Sequence, residues 1–159
     1  MDARQVVESL EKVSAETERK ERVWLKGKRE DLRVYRIPIQ YLYFNIENGR
    51  YADKMLHLKA EHPGADIDPK EDTWKRNIYD MLKGEYKGNL NIEGTERDKK
   101  AFERLREDVC NREQLKPGIV LADGGVIDGN RRLAVLMSLE DQRFRFFDGV
   151  ILPSDISAE

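Results

Sequence analysis

The chain has 159 residues, the length of one domain and cramped for two. Charged residues make up 38% and hydrophobic ones 39%, enough for one core, and 29 Lys and Arg against 31 Asp and Glu exclude a global basic coat for nucleic acid. Cys110 is the sole cysteine, which excludes an internal disulfide and a multi-cysteine zinc site, and no apolar run reaches membrane-spanning or secretory-signal length; the expectation is a soluble, cytoplasmic protein without a membrane partner. Residues 3 to 21 carry Val6, Val7, Leu10 and Val13 at helical spacing before the charged run Glu16 to Arg22, which predicts a helix with a solvated end. A short strand follows in Arg22 to Lys28 and a second in Leu32 to Ile39, with Pro38 at its end. Tyr41 to Phe44 is aromatic and runs into Asn45 to Arg50, whose Asn and Gly predict a loop.

Tyr51, Met55 and Leu58 fit a short helix that His62-Pro63-Gly64 must end. Asp68-Pro69 resembles an N-cap and first helical residue, Trp74, Ile78, Met81 and Leu82 supply a buried face, and Gly84 is the stop. Lys83 to Gly94 reads as a loop. Thr95 with Asp98 resembles a capping box, opening a helix striped by Phe102, Leu105 and Val109; Cys110 continues that stripe and reads as packing. Ile119 to Ala122 is a strand apolar on both faces, turned at Asp123-Gly124-Gly125 and returned as Val126-Ile127. A helix then carries Leu133, Leu136 and Met137, and Arg143 to Leu152 reads as a closing strand. His57 and His62 lack a metal-motif partner, so no metal ligands are assigned. Ser154 to Glu159 reads as the N-cap of a further helix that continues beyond this chain.

The segment with chemical content is the junction of strand and helix at Asp128-Gly129-Asn130-Arg131-Arg132. A helix N-terminus presents N–H groups and a positive dipole end to an anion, glycine allows close approach, and two arginines add planar phosphate donors. The same residues also suit a plainly capped helix with Asp128 or Asn130 as cap and both arginines in solvent. Successive helical positions lie about 100° apart, so one arginine can face a ligand and the other a neighbouring carboxylate.

The run Gly125 to Ala134 resembles the nucleotide-binding signature of the ParB and sulfiredoxin superfamily, in which a strand ends in a Gly-x-Arg-Arg or Asp-Gly-x-x-Arg turn. It is also similar to the Asp-Gly-Gln-x-Arg box of DNA-modification and restriction-associated proteins. Tyr35 to Ile39 followed by Asn45 to Arg50 resembles the family's opening strand and Asn-x-x-Arg loop, and the likeness spans roughly residues 33 to 139. It implies an α+β (α/β) fold, a small mixed sheet flanked by helices. The domain would occupy residues 32 to 153, preceded by a helix and short strand in 1 to 31 and carrying an inserted helical segment or lid at about 61 to 94.

The function implied is binding of a nucleotide, ATP or CTP with Mg²⁺, in a DNA transaction such as partition, modification or defence. Phosphates would meet Gly129, Asn130, Arg131 and Arg132, with Asn48 and Arg50 contributing from the facing loop. An enzymatic version, a phosphotransferase or NTPase, would need a base such as Glu47 or Asp128. A third reading is a DNA- or protein-interaction module that has lost the ligand. DNA would be met through a further region or a partner, and a homodimer is open. Two departures matter. Sulfiredoxin's catalytic cysteine is replaced in this box by Asn130, which argues against sulfinic-acid reduction, and the second nucleotide motif and helix-turn-helix of centromere-binding relatives do not occur in these residues.

Overall fold

The computed structural model describes residues 10–45, 52–85, 92–112 and 116–153. Residues 10–13 are helical (α1) and lead into β1 (Ala15–Leu25) and β2 (Lys28–Pro38), then β3 (Tyr43–Phe44), α2 (Ala52–Glu61), α3 (Asp72–Lys83) and α4 (Ile92–Arg112). The remainder is β4 (Gly118–Val120), β5 (Gly125–Asp128), α5 (Asn130–Ser138) and β6 (Phe146–Ile151). The strands form one mixed sheet in the order β1-β2-β6-β4-β5-β3, so the fold is α+β. Antiparallel pairs join β1 to β2, β2 to β6 and β4 to β5, while β4 with β6 and β3 with β5 are parallel. Among the described residues no helix is long and apolar enough to cross a membrane.

The N-terminal helix predicted to residue 21 is corrected: β1 begins at Ala15. Its Glu, Lys and Arg side chains favour helix locally, but β2 offers a ladder from Lys28 to Arg36, and pairing overrides propensity. The ladder slips between Glu16 and Lys20, and Thr17 fills the gap: its hydroxyl donates to the Val34 carbonyl at 2.6 Å and accepts from the Arg19 N–H at 3.2 Å. The two strands turn at Lys26-Gly27, with φ of 50° and 78°, the left-handed pair that a two-residue hairpin turn requires. The expected division at residue 31 therefore falls inside β2, whose residues on both sides of it pair with β1.

The alternation of each strand sorts its side chains between two clusters. Ile37, Phe44, Val120, Val126, Phe147 and Ile151 pack under the helices with Ile78, Leu82, Phe102, Val109, Leu133 and Leu136. On the other face Val23, Leu25, Val34, Leu121, Val150 and Leu152 form a smaller cluster built without helices. Ile119 and Val120 belong to opposite clusters, as their apolar-on-both-faces pattern predicts. Within the segment expected as an insertion or lid, Ile78, Met81 and Leu82 of α3 are buried in the main cluster with Leu133 and Phe44.

Several boundaries shift for local reasons. Asp68 does not cap α3; its carboxylate accepts the Lys70 N–H at 2.9 Å in a turn, and the helix starts at Asp72 and ends, as predicted, at left-handed Gly84. The helix α4 begins at Ile92 rather than at Thr95. Arg143 and Phe144, predicted as strand, fall in a 3₁₀ turn over residues 142–144, where the Asp141 carboxylate accepts the Arg143 N–H at 3.0 Å. Cys110 is exposed, not packed, since it sits one helical step off the stripe that carries Val109.

Candidate functional site

Parallel β3 and β5 lie side by side, Tyr43 opposite Gly125 and Phe44 opposite Val126, and so end at the same edge of the sheet. From the end of β5 the chain passes through Gly129 into α5. Gly129 is the N-cap with φ 106°, a left-handed conformation, and no side chain caps the helix. A Cβ at this position would lie 2.8 Å from Cζ of the fully buried Phe147, so glycine is required by both conformation and space.

Asn130 is 3% exposed and joins the two strand ends. Its Oδ1 accepts the Asn45 N–H at 3.2 Å, and its Nδ2 donates to the Asn45 carbonyl at 3.2 Å. The side chain assigned to phosphate is thus spent on a reciprocal clamp that holds the residue after β3 against the first turn of α5. The candidate residues Glu47, Asn48 and Arg50 lie outside the described residues.

The two arginines diverge as helical geometry predicts. Arg131 donates to the Asp98 carboxylate of α4 at 3.3 Å, with side chains 21% and 11% exposed, an ion pair that ties α4 to α5. Arg132 is half-buried and donates to the Lys116 carbonyl. Burial pulls its guanidinium below the ordinary arginine range, while Asp128 and Asp148 act in the opposite sense. Asp128 itself is exposed at the end of β5. Across the turn, the Tyr43 hydroxyl donates to Asp123 at 2.5 Å, and Lys70 stands 4.9 Å over the Tyr43 ring.

Asn45 and Asp148 were not singled out by sequence reasoning, and Asp98 was read only as the partner of Thr95 in a capping box. Asn45 acts through its backbone and leaves no side-chain signal. Asp148 lies on β6, far away in sequence. Asp98 could have been found: it falls on the Phe102, Leu105, Val109 stripe, and an acid on an apolar stripe calls for a buried cation. The histidines are structural in part, His62 bonding through Nδ1 to the Leu58 carbonyl at 3.1 Å and meeting Trp74 edge-on at 5.0 Å. Among the described residues no group of three His, Cys, Asp or Glu side chains converges as a metal site. No protein-family model, curated protein or solved structure matches the chain.

Proposed function

We propose that this domain binds the phosphates of a nucleotide, ATP or CTP, at the N-terminus of α5. The observation that carries the reading is the Asn45–Asn130 clamp, which holds the residue after β3 at the helix end that follows Gly129. Ligands of open sheets sit outside the carboxyl ends of parallel strands, and β3 and β5 end together at this clamp. An N-terminus without a side-chain cap leaves N–H groups for an anion, and Arg132 in the first turn of α5 is a charged donor able to turn from the Lys116 carbonyl to a phosphate. Arg131 supports the site indirectly by fixing α5 to Asp98. Any transfer or hydrolysis would draw on Asp128 or Glu47 as base, with Mg²⁺ offsetting the carboxylate charge near the phosphates. The setting in a DNA transaction follows from the resemblance of residues 125–134 to the ParB and sulfiredoxin superfamily.

The test is titration with ATP, ADP, CTP and GTP, with and without Mg²⁺, followed by calorimetry, thermal shift and product analysis. A charge-assisted hydrogen bond contributes about 1.5–3 kcal/mol, so Arg132→Ala is expected to weaken the preferred nucleotide roughly ten- to a hundredfold. No binding by any nucleotide, or unchanged affinity in a folded Arg132→Ala variant, refutes the proposal.

A further inference from the structure

Charge is distributed unevenly along this nearly neutral chain. The 18 residues Arg19–Arg36 contain eight Lys and Arg against three Asp and Glu, whereas the other 141 residues contain 21 against 28. This basic stretch is the β1–β2 hairpin. Only Val34 to Pro38 of β2 pair with β6, so from Lys28 to Arg33 the hairpin is a two-stranded arm whose β2 strand pairs with β1 alone.

The arm has two unlike faces. One places Val23, Leu25 and Leu32 in the smaller apolar cluster. The register puts Lys20, Arg22 and Trp24 opposite Arg33, Asp31 and Arg29 on the other face. Trp24 is 66% exposed and belongs to neither apolar cluster, so the fold makes no use of the largest side chain on the arm. Arg29 stands 5.0 Å from the Trp24 ring centroid. The Arg22–Asp31 pair at 3.2 Å and the Arg33–Glu16 pair at 3.1 Å neutralise part of the face. Among the described residues no carboxylate pairs with Lys20, Lys28 or Arg29.

We infer that the β1–β2 arm binds single-stranded nucleic acid, with a base stacked on Trp24 and the backbone phosphates on Lys20 and Arg29. A flat aromatic surface set among cations is the combination that unpaired bases and their phosphates require, because every base offers a π-face and every linkage a charge. A duplex hides its bases and would leave Trp24 without a role. A membrane surface would need several apolar side chains at the tip, and Trp24 is the only large exposed one on the arm. This reading is independent of the nucleotide site at α5, which lies on other elements.

The protein has two tryptophans, and Trp74 is packed against the core, so quenching of exposed tryptophan emission reports on Trp24. The full chain is titrated with a ~12-nucleotide oligothymidylate, within the usual range of site sizes, and in parallel with duplex DNA of equal length and with heparin. Saturable quenching is expected, with the single strand preferred. Trp24→Ala should weaken binding about tenfold, and each of Lys20→Glu and Arg29→Glu should lower the slope of log K against log salt by roughly 0.7. Urea midpoints verify that the variants remain folded; a folded charge-reversal variant decides the question if Trp24→Ala is unstable. Absence of binding, unchanged affinity in the folded variants, or equal binding of single strand, duplex and heparin overturns the inference.

Discussion

Replacing Asn130 by alanine isolates the clamp from any direct role in ligand binding. The substitution removes two hydrogen bonds of 3.2 Å and leaves the N–H and carbonyl of Asn45 without their partner. Each bond contributes about 1 kcal/mol net, and a stranded buried polar group costs about 1–3 kcal/mol. Asn45 is half-buried, so water recovers part of that cost. The expected loss is about 2–3 kcal/mol, or a fall of roughly 1 M in the urea midpoint with an unchanged slope. In a chain of this length it corresponds to a drop in Tm of roughly 5–10 °C. Asn130→Asp keeps the acceptor for the Asn45 N–H but aims a second carboxylate oxygen at the Asn45 carbonyl, so it should be at least as destabilising. Loss below about 0.5 kcal/mol in both variants, which is the range of neutral surface changes, would refute the clamp.

Two further pairs of variants separate neighbouring effects. Gly129→Ala combines a left-handed backbone with a Cβ pressed on Phe147 and should cost about 2–5 kcal/mol, whereas Gly27→Ala, equally left-handed but in open space, should cost roughly 1 kcal/mol; equal losses in chemical denaturation would remove the packing argument. Asp98→Ala leaves Arg131 partly buried without this carboxylate and should cost about 3 kcal/mol, while Asp31→Ala breaks the exposed pair with Arg22 and should cost under about 1 kcal/mol. Similar losses at the two sites would show that burial does not set the strength of these pairs.

The elements legible in the sequence were those whose local signals agree with their tertiary surroundings. Gly84 ended α3 because only glycine suits a left-handed stop, and the Asp123-Gly124-Gly125 turn joined two strands whose apolar residues both clusters accept. The first part of β1, Ala15 to Glu21, was illegible because its Glu, Lys and Arg residues prefer helix, and only the ladder offered by β2 decides against it. Around the candidate site the turn at Gly129 was legible, whereas Arg131, expected on phosphate, pairs with Asp98. The work of Asn130 was not legible, since its partner is a main chain 85 residues away, a relation that periodicity and spacing do not carry.

The parallel contact of β3 with β5 also bears on the order in which the molecule is built. The β1–β2 and β4–β5 hairpins close through short loops, whereas Tyr43 meets Asp123 across 80 residues and Asn45 meets Asn130 across 85. Contacts so distant in sequence must overcome a large loop-closure entropy and tend to form late. The edge where the two strand ends meet is then among the last parts to assemble. A partly folded chain can show near-native helix and sheet content in circular dichroism while this edge is still open, so recovery of the proposed nucleotide binding should trail recovery of secondary structure in refolding.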